Sequence, residues 1–279
     1  MKKLIIAIAT CMIFGMADAQ DRRQMGGIYH AYPYASKADN LVDATPEGYT
    51  PFYLSHYGRH GSRWMTNDER YEWLYSYFAD RKNLTPLGRK VEKAMRKVLD
   101  NARGNGGRLS RLGAIQHEGI ARRMYSRLPQ IFAPGNRVKA RASVVDRCVK
   151  SMQAFTAMMQ SLQPALEMDI AADSADMAWI AYTAPEVKEL EKSLKIVART
   201  TPERFMAQLF KDPSRVAEHM RFMSEMQAVT SSLQDVGLNF KRYPKDIETL
   251  FDGLFTDDEF RAFYCANNLR MTICNGNYA

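Results

Sequence analysis

Pro51-Phe52-Tyr53-Leu54-Ser55-His56-Tyr57-Gly58 runs straight into Arg59-His60-Gly61-Ser62-Arg63, and that join decides the fold. The apolar residues of 51–58 predict a buried strand, the first of the chain, and the pentapeptide forms the turn at its end. Two guanidiniums flanking an imidazole can hold a phosphate through paired hydrogen bonds while a ring nitrogen attacks the phosphorus. Gly61 lets the backbone turn tightly and come close to an anion. A basic surface loop containing a histidine would show the same five residues, so the pentapeptide alone does not settle the chemistry.

Working outward, Leu84-Thr85-Pro86 opens a helix, with Thr85 as its N-cap and Pro86 at the first helical position. Leu87, Val91, Ala94, Met95, Val98 and Leu99 keep helical spacing. Gly104 to Gly107 interrupts, and Ser110 caps a second helix carrying Leu112, Ile115, Ile120, Met124 and Leu128. Arg137 to Ala142 predicts a second strand, followed by a helix with Val145, Val149, Met152, Phe155 and Met159 along one side. Glu167 to Tyr182 predicts a short strand and a loop. From Pro185 onward the pattern is helical: Val187, Leu190, Leu194 and Val197 form a stripe, Thr201-Pro202-Glu203 starts a helix, and Thr256 with Glu259 has capping-box spacing. No repeat or low-complexity tract interrupts this order of strands and helices early and helices late.

The chain has 279 residues, 46% hydrophobic and 25% charged, enough for a substantial core. Its first nineteen residues read differently. Lys2 and Lys3 precede an apolar run, Leu4 to Met16, that ends in Ala17-Asp18-Ala19, the pattern of a secretory signal peptide cut before Gln20. The run is too short to span a membrane comfortably. Cys11 offers a lipid-anchored alternative, which Thr10 before it disfavours. Residues 20–50, rich in Tyr, Gly and Pro, read as an irregular leader.

Cleavage removes two positive charges and one negative, taking the formal charge from +8 to +7. A basic exported protein suits anionic small molecules, and the absence of basic blocks interleaved with aromatics argues against nucleic acid. Cys148, Cys265 and Cys274 remain. A Cys265–Cys274 bridge and buried reduced thiols are both compatible with that odd count.

Arg59-His60-Gly61-Ser62-Arg63 resembles the signature of the histidine phosphatases, and two further segments extend the likeness. Arg141-Ala142-Ser143-Val144-Val145-Asp146-Arg147 resembles the segment in which histidine acid phosphatases carry a third phosphate-binding arginine, with Ala-Ser in place of the usual Ser-Thr. Leu109-Ser110 through Gly113 to Gln116 resembles the family's helix start between those segments. Ser55 to Arg63 is similar to the bacterial multiple inositol polyphosphate phosphatase-like members. The resemblance covers residues 50–180 with specificity.

It implies an α/β fold, a phosphoglycerate mutase-like three-layer core (residues 20–183) with a mostly helical inserted cap (184–279). His60 is then the nucleophile, with Arg59, Arg63 and Arg141 binding the phosphate and neutralising its oxygens. Asp146 and Arg147 are expected to pair with each other as structural charges. His56 and His117 are expected to pack near the site and take no part in the chemistry. No metal or other cofactor is implied, since arginines do the cationic work and no ligand spacing is present.

A phosphomonoesterase also needs a general acid, worth about a hundredfold to ten-thousandfold. The resemblance places it late in the chain in a His-Asp or His-Ala-Glu pair. After Arg141 the only histidine is His219, in Ala217-Glu218-His219-Met220, where the order is wrong and the pattern helical. The core is therefore expected to be incomplete at the C-terminus. The first expectation is an exported phosphomonoesterase acting on inositol polyphosphates such as phytate. The second is a truncated remnant that binds phosphate without turning it over. A mutase-like relative using an earlier glutamate is disfavoured by the expected signal peptide and by the Arg141 segment.

Overall fold

The computed structural model describes residues 24–32, 45–180 and 184–275. The signal peptide expected over residues 1–19 lies outside the described residues, as does much of the leader. The helices are α1 (Glu69–Ser76), α2 (Pro86–Ala102), α3 (Arg111–Arg127), α4 (Asp146–Leu162), α5 (Pro185–Ser193), α6 (Glu203–Leu209), α7 (His219–Val236), α8 (Lys245–Asp252) and α9 (Asp257–Asn275). Two strands, β1 (Arg137–Arg141) and β2 (Glu167–Ala171), pair in parallel with Arg141 opposite Ala171, and α4 is the crossover between them.

Local chemistry sets the helix starts. Gly88 N donates to Thr85 Oγ1 (2.9 Å) and Gly113 N to Ser110 Oγ (3.2 Å), each hydroxyl satisfying an amide that the first turn leaves without a partner. Thr256 and Glu259 make both halves of a capping box, Glu259 N to Thr256 Oγ1 and Thr256 N to Glu259 Oε2. Between α2 and α3 the chain turns through Gly104 and Gly107, both at positive φ, while the Asp68 carboxylate accepts from Gly104 N and Gly106 N.

The main core joins α1 and α2 to the late helices. Tyr71, Leu74, Phe78, Val91 and Met95 pack with Phe205, Phe210, Phe222, Met226, Phe251 and Phe260. Phe222 meets the rings of Phe78, Phe205 and Phe210 at centroid separations of 5.6–6.2 Å. Ala121, Phe132, Met159 and Leu166 form a smaller core where α3 and α4 meet the sheet.

The strand expected over residues 51–58 is not formed. That segment is an extended loop with Phe52 94% and Tyr57 80% exposed, and among the described residues no strand lies beside it. An apolar sequence supplies the β-compatible side chains but not the neighbouring ladder that a strand requires. The nearest pairing is a single antiparallel bridge, Arg63 with Leu109, just past the histidine turn.

Candidate active site

The Arg59–Arg63 turn is gripped from three helices. From α3, Gln116 Oε1 accepts from Ser62 N (2.8 Å), and Ser110 N at the cap donates to Ser62 O (2.8 Å). From α4, Ser151 Oγ accepts from Gly61 N (3.0 Å). From α7, Asp235 Oδ1 accepts from Ser62 Oγ (2.6 Å). The turn and α3 touch glycine to glycine: a Cβ on Gly61 would lie 2.4 Å from Gly113 O, and one on Gly113 would lie 2.3 Å from Ser62 O. Gly61 is required here by close packing of two backbones, a stricter demand than the tight turn read from the sequence.

This arrangement opens His60 onto a cavity of about 700 Å³, whose walls include Tyr29, His56, Arg59, Arg63, His117, Arg123, Arg127 and Asp235. The size suits a small organic ligand. His60 Nδ1 lies 2.8 Å from Gly61 O. A carbonyl only accepts, so Nδ1 carries the proton and Nε2 is the ring nitrogen with the lone pair. Burial pulls the imidazole down to a pKa of about 4, against the Gly61 hydrogen bond, with the charges of Arg59, Arg147 and Arg63 pulling the same way as burial. The His60 ring is therefore neutral at mildly acidic and neutral pH.

The guanidiniums divide into two groups. Arg59 Nη1 donates to Ile28 O and Arg63 Nη1 to Trp64 O. The Nε atoms of Arg63 and Arg147 are buried without a hydrogen-bond partner, an expensive state for a donor unless an anion completes it. Burial also pulls the Arg63 pKa below its ordinary value, and the charge of Arg147 adds to that. The charges of Arg59, Arg63 and Arg147 thus all act on His60.

Arg141, the residue expected to complete the phosphate site, is placed otherwise. It does not line the cavity. Its Nη1 donates to Asp169 O (2.8 Å), its Nη2 to Asp169 Oδ1 (3.0 Å), and its Nε faces Asp176 (3.7 Å). Asp169 precedes Arg141's register partner Ala171 by two positions on β2, so strand pairing delivers the carboxylate to the guanidinium. Arg147, six residues on and in the first turn of α4, is also outside the cavity lining, but its charge acts on the His60 ring. The expected Asp146–Arg147 pair is likewise replaced: Asp146 Oδ2 bonds Lys150 Nζ one turn along the helix (3.0 Å).

Of the remaining histidines, His30, His56 and His117 line the cavity and His219 does not. His56 stacks on Phe155 at 6.4 Å. His117 is buried on α3, and burial lowers its pKa. His219 opens α7 and its Nε2 bonds Pro213 O, outside the cavity lining. Cys148, Cys265 and Cys274 are free thiols, so no Cys265–Cys274 bridge forms.

Asp235 was not singled out from the sequence. It is the one carboxylic acid on the described cavity wall, 6% exposed. Burial raises its pKa to about 7, outweighing the Ser62 hydrogen bond and the charges of Arg63 and Arg59. The sequence offered little signal, since Ser231 and Ser232, four and three residues earlier on the same helix face, are polar as well.

Residues 58–269 match the histidine phosphatase superfamily, branch 2. No curated protein matches the chain. Among solved structures, the fold is similar to that of a multiple inositol polyphosphate phosphatase from Bifidobacterium longum. In its complex with inositol hexasulfate the TM-score is 0.60 at 15% identity, covering 88% of this chain and 70% of that one. The apo form gives a TM-score of 0.60 at 14% identity, covering 88% and 68%. The phosphate complex gives 0.60 at 14%, covering 87% and 67%. At such identity the likeness is one of fold, a mixed α/β architecture rich in helix. Among the described residues no helix is long and apolar enough to cross a membrane.

Proposed function

The chain belongs to the histidine phosphatase superfamily, branch 2, and from that premise we propose that it hydrolyses phosphate monoesters through a phosphohistidine on His60. The observation that carries this reading is the state of His60. Its Nδ1–H is fixed on Gly61 O, its ring is held neutral, and the charges of three arginines act on it. Nε2 attacks the phosphorus in line with the departing oxygen, and a P–N bond replaces the P–O bond. Arg59, Arg63 and Arg147 neutralise the non-bridging oxygens as charge redistributes, with the Nε–H groups of Arg63 and Arg147 ready to donate. Water then attacks the phosphohistidine and releases inorganic phosphate.

Inositol polyphosphates such as phytate are the proposed substrates. Support comes from the cavity volume and from Arg123 and Arg127, which put cationic side chains on the same wall as Arg59 and Arg63. Export through residues 1–19 and a cap formed by the helices from residue 184 onward belong to the same proposal.

The test is phosphate release from p-nitrophenyl phosphate and from phytate at mildly acidic pH, beside His60→Ala. Turnover by the native chain that is lost in the variant supports the reading. Folded native protein that binds phosphate but releases none from either ester overturns it in favour of a binding protein.

A further inference from the structure

An alkyl phosphate leaves slowly unless its oxygen is protonated as the P–O bond breaks, and the segments resembling known phosphatases supply no acid for that step. The cavity supplies one from elsewhere. Asp235, in the last turn of α7, shares the cavity with His60, and its Oδ1 accepts from Ser62 Oγ two residues beyond the nucleophile. With Oδ1 occupied as an acceptor, the proton of the neutral acid resides on Oδ2. Its environment keeps that proton in place at mildly acidic pH: the carboxyl is buried, its pKa is near 7, and the charges facing it are Arg59 and Arg63 on the turn, with the Tyr71 phenol of α1 close by.

Three other histidines share the wall, His30, His56 and His117. Burial lowers the His117 pKa, which weakens its hold on a proton. His56 is stacked on Phe155. His219, the histidine nearest in sequence to the expected acid motif, bonds Pro213 O outside the lining.

Resting on the phosphohistidine reading, we propose that Asp235 is the general acid of this chain. In the first step His60 Nε2 forms a bond to phosphorus, the P–O bond to the alcohol breaks, and the Asp235 proton passes to the leaving oxygen, so the alcohol departs neutral and Asp235 is left as carboxylate. In the second step a water attacks the phosphohistidine and the P–N bond breaks. The phosphate leaves, the proton of the attacking water passes to solvent, and Asp235 regains its own proton from solvent. Both residues return to their starting states. Ser62 is a positioning residue: its hydroxyl orients the carboxyl and ties it to the nucleophile's own turn.

The experiment compares leaving groups. Asp235→Asn keeps the shape and the acceptor for Ser62 Oγ but has no proton to give. Turnover of glycerol 2-phosphate, an alkyl ester, is expected to fall by about a hundredfold to ten-thousandfold. Turnover of p-nitrophenyl phosphate, whose leaving group hardly needs protonation, is expected to change by less than about tenfold. Equal losses on both esters, or no loss on either, overturn the proposal.

If the variant fails to fold, the native protein decides. Its kcat on glycerol 2-phosphate must decline as pH rises through the neutral range while kcat on p-nitrophenyl phosphate does not, and parallel profiles refute the role. A native chain that forms a phosphohistidine and cleaves the aryl ester, yet shows no leaving-group effect at Asp235, leaves the function standing and removes this acid. A native chain that forms no phosphohistidine removes both.

Discussion

Replacing Gly61 by alanine tests how tightly the nucleophile's turn is seated on α3. The added methyl would lie 2.4 Å from Gly113 O, 2.6 Å from its Cα and 2.7 Å from its carbonyl carbon, all backbone atoms that no rotamer change can move. Restoring ordinary contact takes a displacement of about 1 Å. The bonds from Ser62 N to Gln116 Oε1 and from Ser110 N to Ser62 O, each 2.8 Å, would then stretch past hydrogen-bonding range. Overpacking costs about 1–3 kcal/mol and each lost bond about 1 kcal/mol, so the variant is expected to be less stable by about 2–5 kcal/mol. A nucleophile moved by about 1 Å also loses about a hundredfold in turnover. Urea unfolding monitored by fluorescence, with phosphate release at a denaturant-free endpoint, reads both quantities. Gly253→Ala is the control: its methyl would meet nothing closer than 3.4 Å, and it is expected to stay within about 1 kcal/mol of the native chain. A Gly61→Ala protein with native stability and native turnover would mean that the two glycines do not meet as described.

The division of the arginines gives a second prediction. Arg147→Met should lower kcat by about a hundredfold to a thousandfold, whereas Arg141→Met should act mainly on stability by leaving Asp169 with Arg137 as its one ion-pair partner, and kcat measured beside thermal midpoints separates the two. Asp235 gives a third, in stability. Its carboxyl titrates near pH 3.8 when unfolded and near 7 when folded, so the native state holds an extra proton between those values. Its contribution is full below pH 4 and is lost as pH rises to 7, by about 4 kcal/mol. Asp235→Asn should flatten that slope in unfolding curves taken from pH 5 to 8. His60 works in the opposite direction: its folded pKa is depressed, so its contribution is full above pH 6.5 and is lost as pH falls towards 4, and His60→Asn should remove that acid-side loss.

What could be read in the sequence was local. Thr85, Ser110 and Thr256 start their helices through bonds that close within three residues, and each was legible as a cap. The turn carrying Arg59, His60 and Arg63 was legible for the same reason, since its chemistry sits in five consecutive residues. The strand expected over residues 51–58 failed because a strand is a property of a pair, and apolar side chains do not say whether a neighbour is present.

Arg141 and Arg147 were both visible, but what separates them is β2, which brings Asp169, 28 residues away, to the first. Asp235 lies 173 residues from Ser62, and no local pattern links an aspartate near the end of one helix to a serine in a distant turn. Gly61 was seen, and its partner Gly113 was quoted as part of a helix start. Their contact is a matter of two backbones meeting, on which one-dimensional spacing is silent.

The central claim is that His60 Nε2 accepts the phosphoryl group. Rapid quench of the native chain with a phosphate ester, followed by phosphorus-31 NMR and mass spectrometry of the digested phosphoenzyme, tests it directly. The account predicts an acid-labile phosphoryl group on Nε2 of His60 that is absent from His60→Ala. A phosphoryl group on Nδ1, on His56 or on His117, or turnover with no phosphoenzyme at all, would contradict it.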